Sequence, residues 1–89
     1  MKSRTTAQFR KLFNDLPESI QDQARKAYQQ FQQDASHPSL HFKKVQPSLP
    51  IYSVRISKGY RAVGQLEADT VIWFWIGTHT EYEQLLSKK

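Results

Sequence analysis

The feature that most constrains the fold of this chain is a change in the spacing of its apolar residues at about Pro50. Beyond this point apolar and polar residues alternate, which is the period of a β-strand with one buried face. Two short polar segments, residues 58–59 and 67–69, divide the alternating region into three parts. Strands joined by such short turns pair as antiparallel neighbours. The second half of the chain is therefore predicted to form a small twisted antiparallel sheet of three to four strands.

The alternation also assigns side chains to the two faces of this sheet. It places Arg55 and Arg61 on one face and leaves the other face to Tyr52, Val54, Ile56, Tyr60, Ala62 and Leu66. The third strand is apolar on both sides, so it is expected to lie centrally or to line an aromatic surface. We expect Trp73 and Trp75 to lie on the arginine face, while the opposite face presents to the helices Ile72, Phe74 and Ile76.

The first half of the chain has the spacing of helices. Its first apolar stripe repeats at intervals of three and four residues, at Phe9, Leu12, Phe13 and Leu16. Thr5 or Thr6 can cap that helix, Pro17 fits the first turn of a second helix, and a boundary is predicted near Asp34. No convincing strand precedes the first helix. The predicted fold is α+β, with an N-terminal helical hairpin packed on the sheet and a short C-terminal helix.

Composition narrows the range of partners. Eighty-nine residues suffice for a single domain, to which we assign residues 1–89. The net charge of +5 favours an anionic partner, either nucleic acid or an acidic protein. The lack of cysteine excludes thiolate zinc sites and favours a reducing compartment. No apolar run approaches the length of a membrane helix, and the histidines lack metal-site spacing. We expect a cytoplasmic protein without membrane, metal or cofactor.

Several segments, taken in order, resemble the RelE/ParE superfamily of bacterial toxins. They are the helical hairpin, then L-x-F-K-K-V (residues 40–45), Y-S-V-R-I (52–56), G-Y-R-A-V (59–63) and I-G-T-H-T-E-Y (76–82). The resemblance implies a small α/β domain that is neutralised by a cognate, co-expressed antitoxin protein. Many members of the superfamily cut mRNA on the ribosome, whereas the ParE branch poisons DNA gyrase.

The resemblance also implies roles for individual residues. Arg61 matches the arginine that contacts the scissile phosphate in the RNase branch, and Arg55 matches a basic position on the preceding strand. His79 is similar to the histidine that YafQ-type members use for acid/base chemistry. Tyr82 lies near the place where other members use a C-terminal aromatic residue. These four residues are the predicted catalytic set.

Further positions are implied to bind RNA or to depart from the family pattern. Lys43 and Lys44 match a basic segment that approaches RNA in relatives, and Trp75 is a candidate for stacking on a nucleotide. Ser53 stands where relatives frequently carry lysine, and Ile76 is apolar where YafQ-type toxins tend to carry arginine. The predicted pocket is therefore less basic than that of these relatives.

The leading hypothesis is a metal-independent, ribosome-dependent endoribonuclease. Attack by an RNA 2′-hydroxyl needs a base, an acid and a cation, and histidine and arginine supply these functions near neutral pH. Each residue also has a structural interpretation: His79 as a helix cap, Arg61 as an ion-pair partner of Glu81 or Glu83, and Tyr82 as a packing residue. Two other functions stay open, a gyrase inhibitor of the ParE type and a catalytically silent basic domain that retains antitoxin affinity.

Overall fold

A computed structural model describes residues 1–87 of the protein as five strands and three α-helices around one sheet. The elements in chain order are β1 (Lys2–Thr5), α1 (Ala7–Asn14), α2 (Glu18–Gln33), a 3-10 turn (Pro38–Leu40), β2 (Lys43–Lys44), β3 (Ile51–Ser57), β4 (Tyr60–Glu67), β5 (Thr70–Thr78) and α3 (His79–Ser87). The predicted α+β class and C-terminal helix are confirmed. None of the helices in residues 1–87 is long and apolar enough to span a membrane.

The sheet is mixed and larger than predicted. Its strand order is β1-β5-β4-β3-β2, with β1 parallel to β5 and every other pair antiparallel. The expectation of three to four antiparallel strands, with none before the first helix, was wrong. β1 is a polar edge strand, Lys2–Thr5, so its sequence carries no apolar alternation, and backbone pairing with β5 holds it in place.

A β-bulge in β5 changes which of its side chains meet the helices. Val63 pairs with Trp75 and Gly64 pairs with Trp73, so Phe74 is an extra residue without a partner on β4. One inserted residue reverses the alternation of side chains between the two faces of the sheet. Trp73 and Trp75, which would share a face in a regular strand, therefore lie on opposite faces.

Because of the bulge, several side chains of β5 lie on the face opposite to the one predicted from the sequence. Trp73 is 3% exposed and belongs to the core beneath the helices. Ile76 lies in the same core, as predicted. Ile72 pairs with Gln65 on the opposite face and, together with Phe74, borders a shallow cavity there. The expected positions of Trp73, Ile72 and Phe74 were therefore wrong.

The helices begin and end where the sequence indicated. Thr6 Oγ1 accepts the backbone N–H of Phe9 at 3.1 Å and caps α1, Pro17 precedes α2, and Asp34 ends it. Gln21 Nε2 donates to three carbonyl groups at the end of α1, those of Phe13, Asn14 and Leu16. The two helices lie over different strands, α1 on β5 and α2 on β3.

The core lies between these helices and one face of the sheet. Its buried members are Ala24, Phe31, Leu40, Val54, Ala62, Val71, Trp73 and Ile76. Phe31 makes edge-to-face contacts with Trp73, at 5.4 Å between ring centroids, and with Phe42, at 5.1 Å. Gly64 is required beside this cluster, since a Cβ atom there would lie 2.7 Å from Trp73 Cε3 and 2.7 Å from Val71 Cγ1.

Candidate active site

The opposite face of the sheet is partly covered by α3, which packs on β4 and β5. Tyr82 is 6% exposed and crosses β4, so that its hydroxyl donates to Ser53 Oγ on β3 at 3.0 Å. Ser53, Val63 and Trp75 form one cross-strand row beneath the helix, and Val63 is fully buried in it. A second, smaller core therefore holds α3 on the sheet.

Arg55 and Arg61 lie beside this small core as direct cross-strand partners, so the prediction that they share a face is confirmed. The ion pairs found within residues 1–87 are Lys2–Asp69 and Arg25–Asp22, and neither involves these arginines. The pairing of Arg61 with a glutamate of α3, left open by the sequence, is thus not formed. Two like charges directly opposite each other are unfavourable unless an anion lies near them.

Arg61 is anchored to the β3–β4 turn. Its Nη1 donates to the carbonyl oxygens of Ser57 at 2.7 Å, Tyr60 at 2.9 Å and Lys58 at 3.3 Å. Partial burial lowers the pKa of the Arg61 guanidinium and the Arg55 charge lowers it further, while Tyr82 acts in the opposite direction. All three bonds use one terminal nitrogen, so the edge formed by Nη2 and Nε can still donate to a ligand.

His79 is the first residue of α3 and is tied to the same turn. Its backbone N–H donates to the carbonyl oxygen of Gly59 at 2.8 Å. Its half-buried imidazole lies beside the ring of Tyr82, with 5.8 Å between the ring centroids. The turn that receives the Arg61 guanidinium therefore also receives the backbone of His79.

Thr78 and Glu81, not His79, cap the N-terminus of α3. The Thr78 N–H donates to Glu81 Oε1 at 3.0 Å, and the Glu81 N–H donates to Thr78 Oγ1 at 3.1 Å. This reciprocal pair is a capping box, whose signal T-x-x-E stands in the sequence although our prediction missed it. Because the Glu81 carboxylate occupies the helix terminus, the imidazole of His79 is left free of a capping role.

The remaining predicted residues divide between the two faces. Lys43 pairs with Ser53 and so lies on the arginine face, whereas Lys44 pairs with Tyr52 and belongs to the other face; both are exposed. Trp75 lies on the arginine face, half-buried, with its ring over Gly77. The structure thus brings Lys43 and Trp75 to the face of the predicted catalytic set but not Lys44.

The two departures from the family pattern have different surroundings. Ser53 is 2% exposed, and its hydroxyl is engaged by Tyr82, a partnership with no signal in the sequence. Ile76 is 2% exposed in the core under the helices, so its position lies on the face away from the arginines. No three His, Asp or Glu side chains in residues 1–87 come together in the way a metal ion requires.

Solved structures of similar architecture include toxins and toxin–antitoxin complexes. The fold is similar to the RelB–RelE antitoxin–toxin complex from Methanococcus jannaschii, with TM-score 0.73, 18% identity, and 91% of this chain and 95% of that chain covered. It is also similar to the RelBE2 complex from Mycobacterium tuberculosis, with TM-score 0.70, 17% identity, and coverage of 88% and 96%. Escherichia coli YafQ gives TM-score 0.67, 13% identity, and coverage of 91% and 96%. At these identities the likeness concerns the fold.

Sequence comparison gives the family directly. A search of curated proteins finds no match. The family model of the ParE-like toxin domain, however, matches residues 18–84, which include all of α2, the strands β2 to β5 and most of α3. The matched region covers well over half of the chain and contains both arginines, His79 and Tyr82. The chain therefore belongs to the ParE-like toxin domain family.

Proposed function

We propose that this toxin is an endoribonuclease that cuts mRNA on the ribosome without a metal ion. The observation that carries the proposal is the cross-strand pair of Arg55 and Arg61, which has no carboxylate partner within residues 1–87 and lies next to the turn that anchors His79. Arginine offers paired N–H donors that match the oxygens of a phosphate. The pair is thus suited to a phosphodiester, and the histidine is suited to proton transfer.

The electrostatics of the pair favour an anion. Arg61 is partly buried, and both burial and the facing Arg55 charge lower the pKa of its guanidinium. A phosphate between the two guanidinium groups would relieve this repulsion and would gain the negative charge that develops as the 2′-oxygen attacks phosphorus. The arginines would therefore interact more strongly with the transition state than with the substrate.

In the proposed reaction the 2′-hydroxyl loses its proton, its oxygen bonds to phosphorus, and the bond to the 5′-oxygen breaks as that oxygen gains a proton. A cyclic 2′,3′-phosphate and a free 5′-hydroxyl result. His79 carries out one of the two proton transfers, because imidazole is the side chain most often used as a general acid or base, and solvent water takes part in the other. Tyr82 supports this chemistry by holding α3 on the sheet through Ser53.

A second candidate function is inhibition by binding alone, as in the gyrase inhibitors of the ParE branch. The matching family model is the ParE-like toxin domain. In addition, Ser53 is engaged by Tyr82 and the Glu81 carboxylate lies at the start of α3, so this face is less cationic than the arginines alone would make it. A binding toxin would use the sheet face as a surface and would not need the imidazole of His79.

We further propose that the toxin acts in the cytoplasm and is neutralised by a cognate antitoxin protein. Two of the structures with this fold are antitoxin–toxin complexes. The net charge of +5 is suited to an acidic antitoxin segment that folds on binding.

The proposal is tested with His79→Ala and Arg61→Ala, expressed under an inducible promoter. Each variant is expected to relieve growth arrest and to abolish cleavage of ribosome-bound mRNA. Arg4→Ala is the matched control, because it removes an exposed arginine from β1, at the sheet edge opposite β2, and should leave both effects in place. If His79→Ala and Arg61→Ala stay fully toxic while gyrase-linked DNA breaks accumulate, the toxin acts by binding.

A further inference from the structure

The β3–β4 turn is the point at which two parts of the candidate site meet. On one side, Arg61 Nη1 donates to the carbonyls of Ser57, Lys58 and Tyr60 at 2.7, 3.3 and 2.9 Å. On the other side, the carbonyl oxygen of Gly59 accepts the backbone N–H of His79 at 2.8 Å. Four consecutive carbonyl groups of the turn are thus bonded either to the arginine or to the histidine.

Apart from the pairing of Tyr60 with Ser57 and with Thr78, little else holds this turn in place. Lys58 and Gly59 are exposed, and a Cβ atom added at Gly59 would meet nothing within 4 Å. The strand pairing is also irregular next to it, because Arg55 pairs with Arg61 and Ser57 with Tyr60, which leaves Ile56 as an extra residue. On the β3 side of the turn, the bonds from Arg61 therefore supply an anchor that packing and a regular ladder do not.

We propose that Arg61 is a positioning residue for His79, in addition to its contact with phosphate. Its guanidinium fixes the turn, and the Gly59 carbonyl of that turn fixes the backbone N–H of His79, the residue from which the imidazole projects. The first N–H groups of a helix have no partner within the helix, so the bond to Gly59, which continues the pairing of Thr78 with Tyr60, constrains the backbone of His79 directly. The inference rests on the proposed function only for the chemistry that His79 performs.

Arg55 provides a matched comparison. It carries the same charge on the same face, directly opposite Arg61, and it makes no hydrogen bond to the turn within residues 1–87. A purely electrostatic effect on His79 should follow the loss of either arginine. A positioning effect should follow the loss of Arg61 alone.

The experiment compares Arg61→Met, Arg55→Met and Arg61→Lys by NMR in the complete chain. In Arg61→Met, hydrogen exchange of the His79 amide is expected to accelerate about tenfold or more, because the turn loses its charge-assisted bonds. The imidazole resonances of His79 should also broaden or shift in this variant. In Arg55→Met the exchange should stay within about twofold of the original chain. In Arg61→Lys the ammonium can donate to the same carbonyls, so protection should be partly restored.

Amides in the middle of β4 and β5 report whether each variant is folded. Unchanged His79 exchange in folded Arg61→Met, or equal acceleration in both methionine variants, would overturn the proposal. Steady-state cleavage adds a second readout, since a displaced His79 should lower kcat in Arg61→Met more than it raises KM, and Arg61→Lys should recover part of that kcat. The exchange measurement does not depend on cleavage. If the protein cuts no RNA, the proposed function is refuted, but hydrogen exchange of the His79 amide still decides whether Arg61 has a positioning role.

Discussion

The buried hydrogen bond between Tyr82 and Ser53 is predicted to be a measurable part of the stability of this domain. The Tyr82 hydroxyl lies 3.0 Å from Ser53 Oγ, and the two residues are 6% and 2% exposed, so water cannot replace either partner. Tyr82→Phe removes the donor and keeps the ring. A buried bond of this kind contributes about 0.5–1.5 kcal/mol, so we expect the free energy of unfolding to fall by about 1 kcal/mol. For a domain of this size Tm should fall by about 4–8 °C.

Ser53→Ala should cost at least as much, because it leaves the Tyr82 hydroxyl buried without an acceptor, a penalty of about 1–3 kcal/mol. The double variant removes both polar groups and should therefore be less destabilised than the sum of the single changes, with a coupling of about 1 kcal/mol. Urea unfolding followed by tryptophan fluorescence measures all four proteins. Tyr28→Phe is the control, since that ring is 38% exposed and its hydroxyl makes no bond within residues 1–87.

Additivity is the outcome that would refute this reasoning. If the two single changes add to within about 0.3 kcal/mol, the hydroxyl groups do not interact and their bond does not help to hold α3 on the sheet. A Tyr28→Phe effect as large as that of Tyr82→Phe would also contradict it, because the loss would then come from the tyrosine substitution in general.

Two further predictions concern stability and use the same unfolding assay. Gly64→Ala should lower the free energy of unfolding by about 1–3 kcal/mol through the clash of its Cβ with the core, while Gly59→Ala, in open space, should change it by less than about 0.5 kcal/mol. Glu81→Ala should lower the free energy of unfolding by about 0.5–2 kcal/mol, because it removes the capping box of α3. Glu83→Ala removes an equal charge from the same helix and should not have this effect. Equal losses for the two glycine variants, or for the two glutamate variants, would contradict these assignments.

The sequence could predict the shared face of Arg55 and Arg61 because its alternation there is strict. Each polar residue of β3 and β4 near these arginines has apolar neighbours, so the sequence shows which residues share a face of the sheet. The structure confirms that Arg55 and Arg61 lie on the same face. β5 offered no such signal. Its side chains are apolar on both sides, and the bulge at Phe74 could not be located in a run where every position looks suited to burial.

Two other features depend on contacts between distant residues. β1 is a strand because β5 offers it a free edge, and its own polar sequence gives no preference that reveals this. Likewise, nothing near Ser53 in the sequence indicates that a tyrosine 29 residues later will bond to it. By contrast, the capping box at Thr78 was readable, since it depends on two residues that are three apart in the sequence.

The environment of Ser53 also limits how much of the family chemistry can be transferred to Tyr82. Relatives frequently carry lysine at that position, but an ammonium there would be buried beside two arginines with no carboxylate paired to them in residues 1–87. Serine instead accepts the tyrosine hydroxyl and lets the ring close over the sheet. A hydroxyl that donates to a buried serine is not positioned to give its proton to a leaving oxygen. If RNA is cut, the proton transfer therefore falls to His79, and Tyr82→Phe should lower stability without abolishing cleavage.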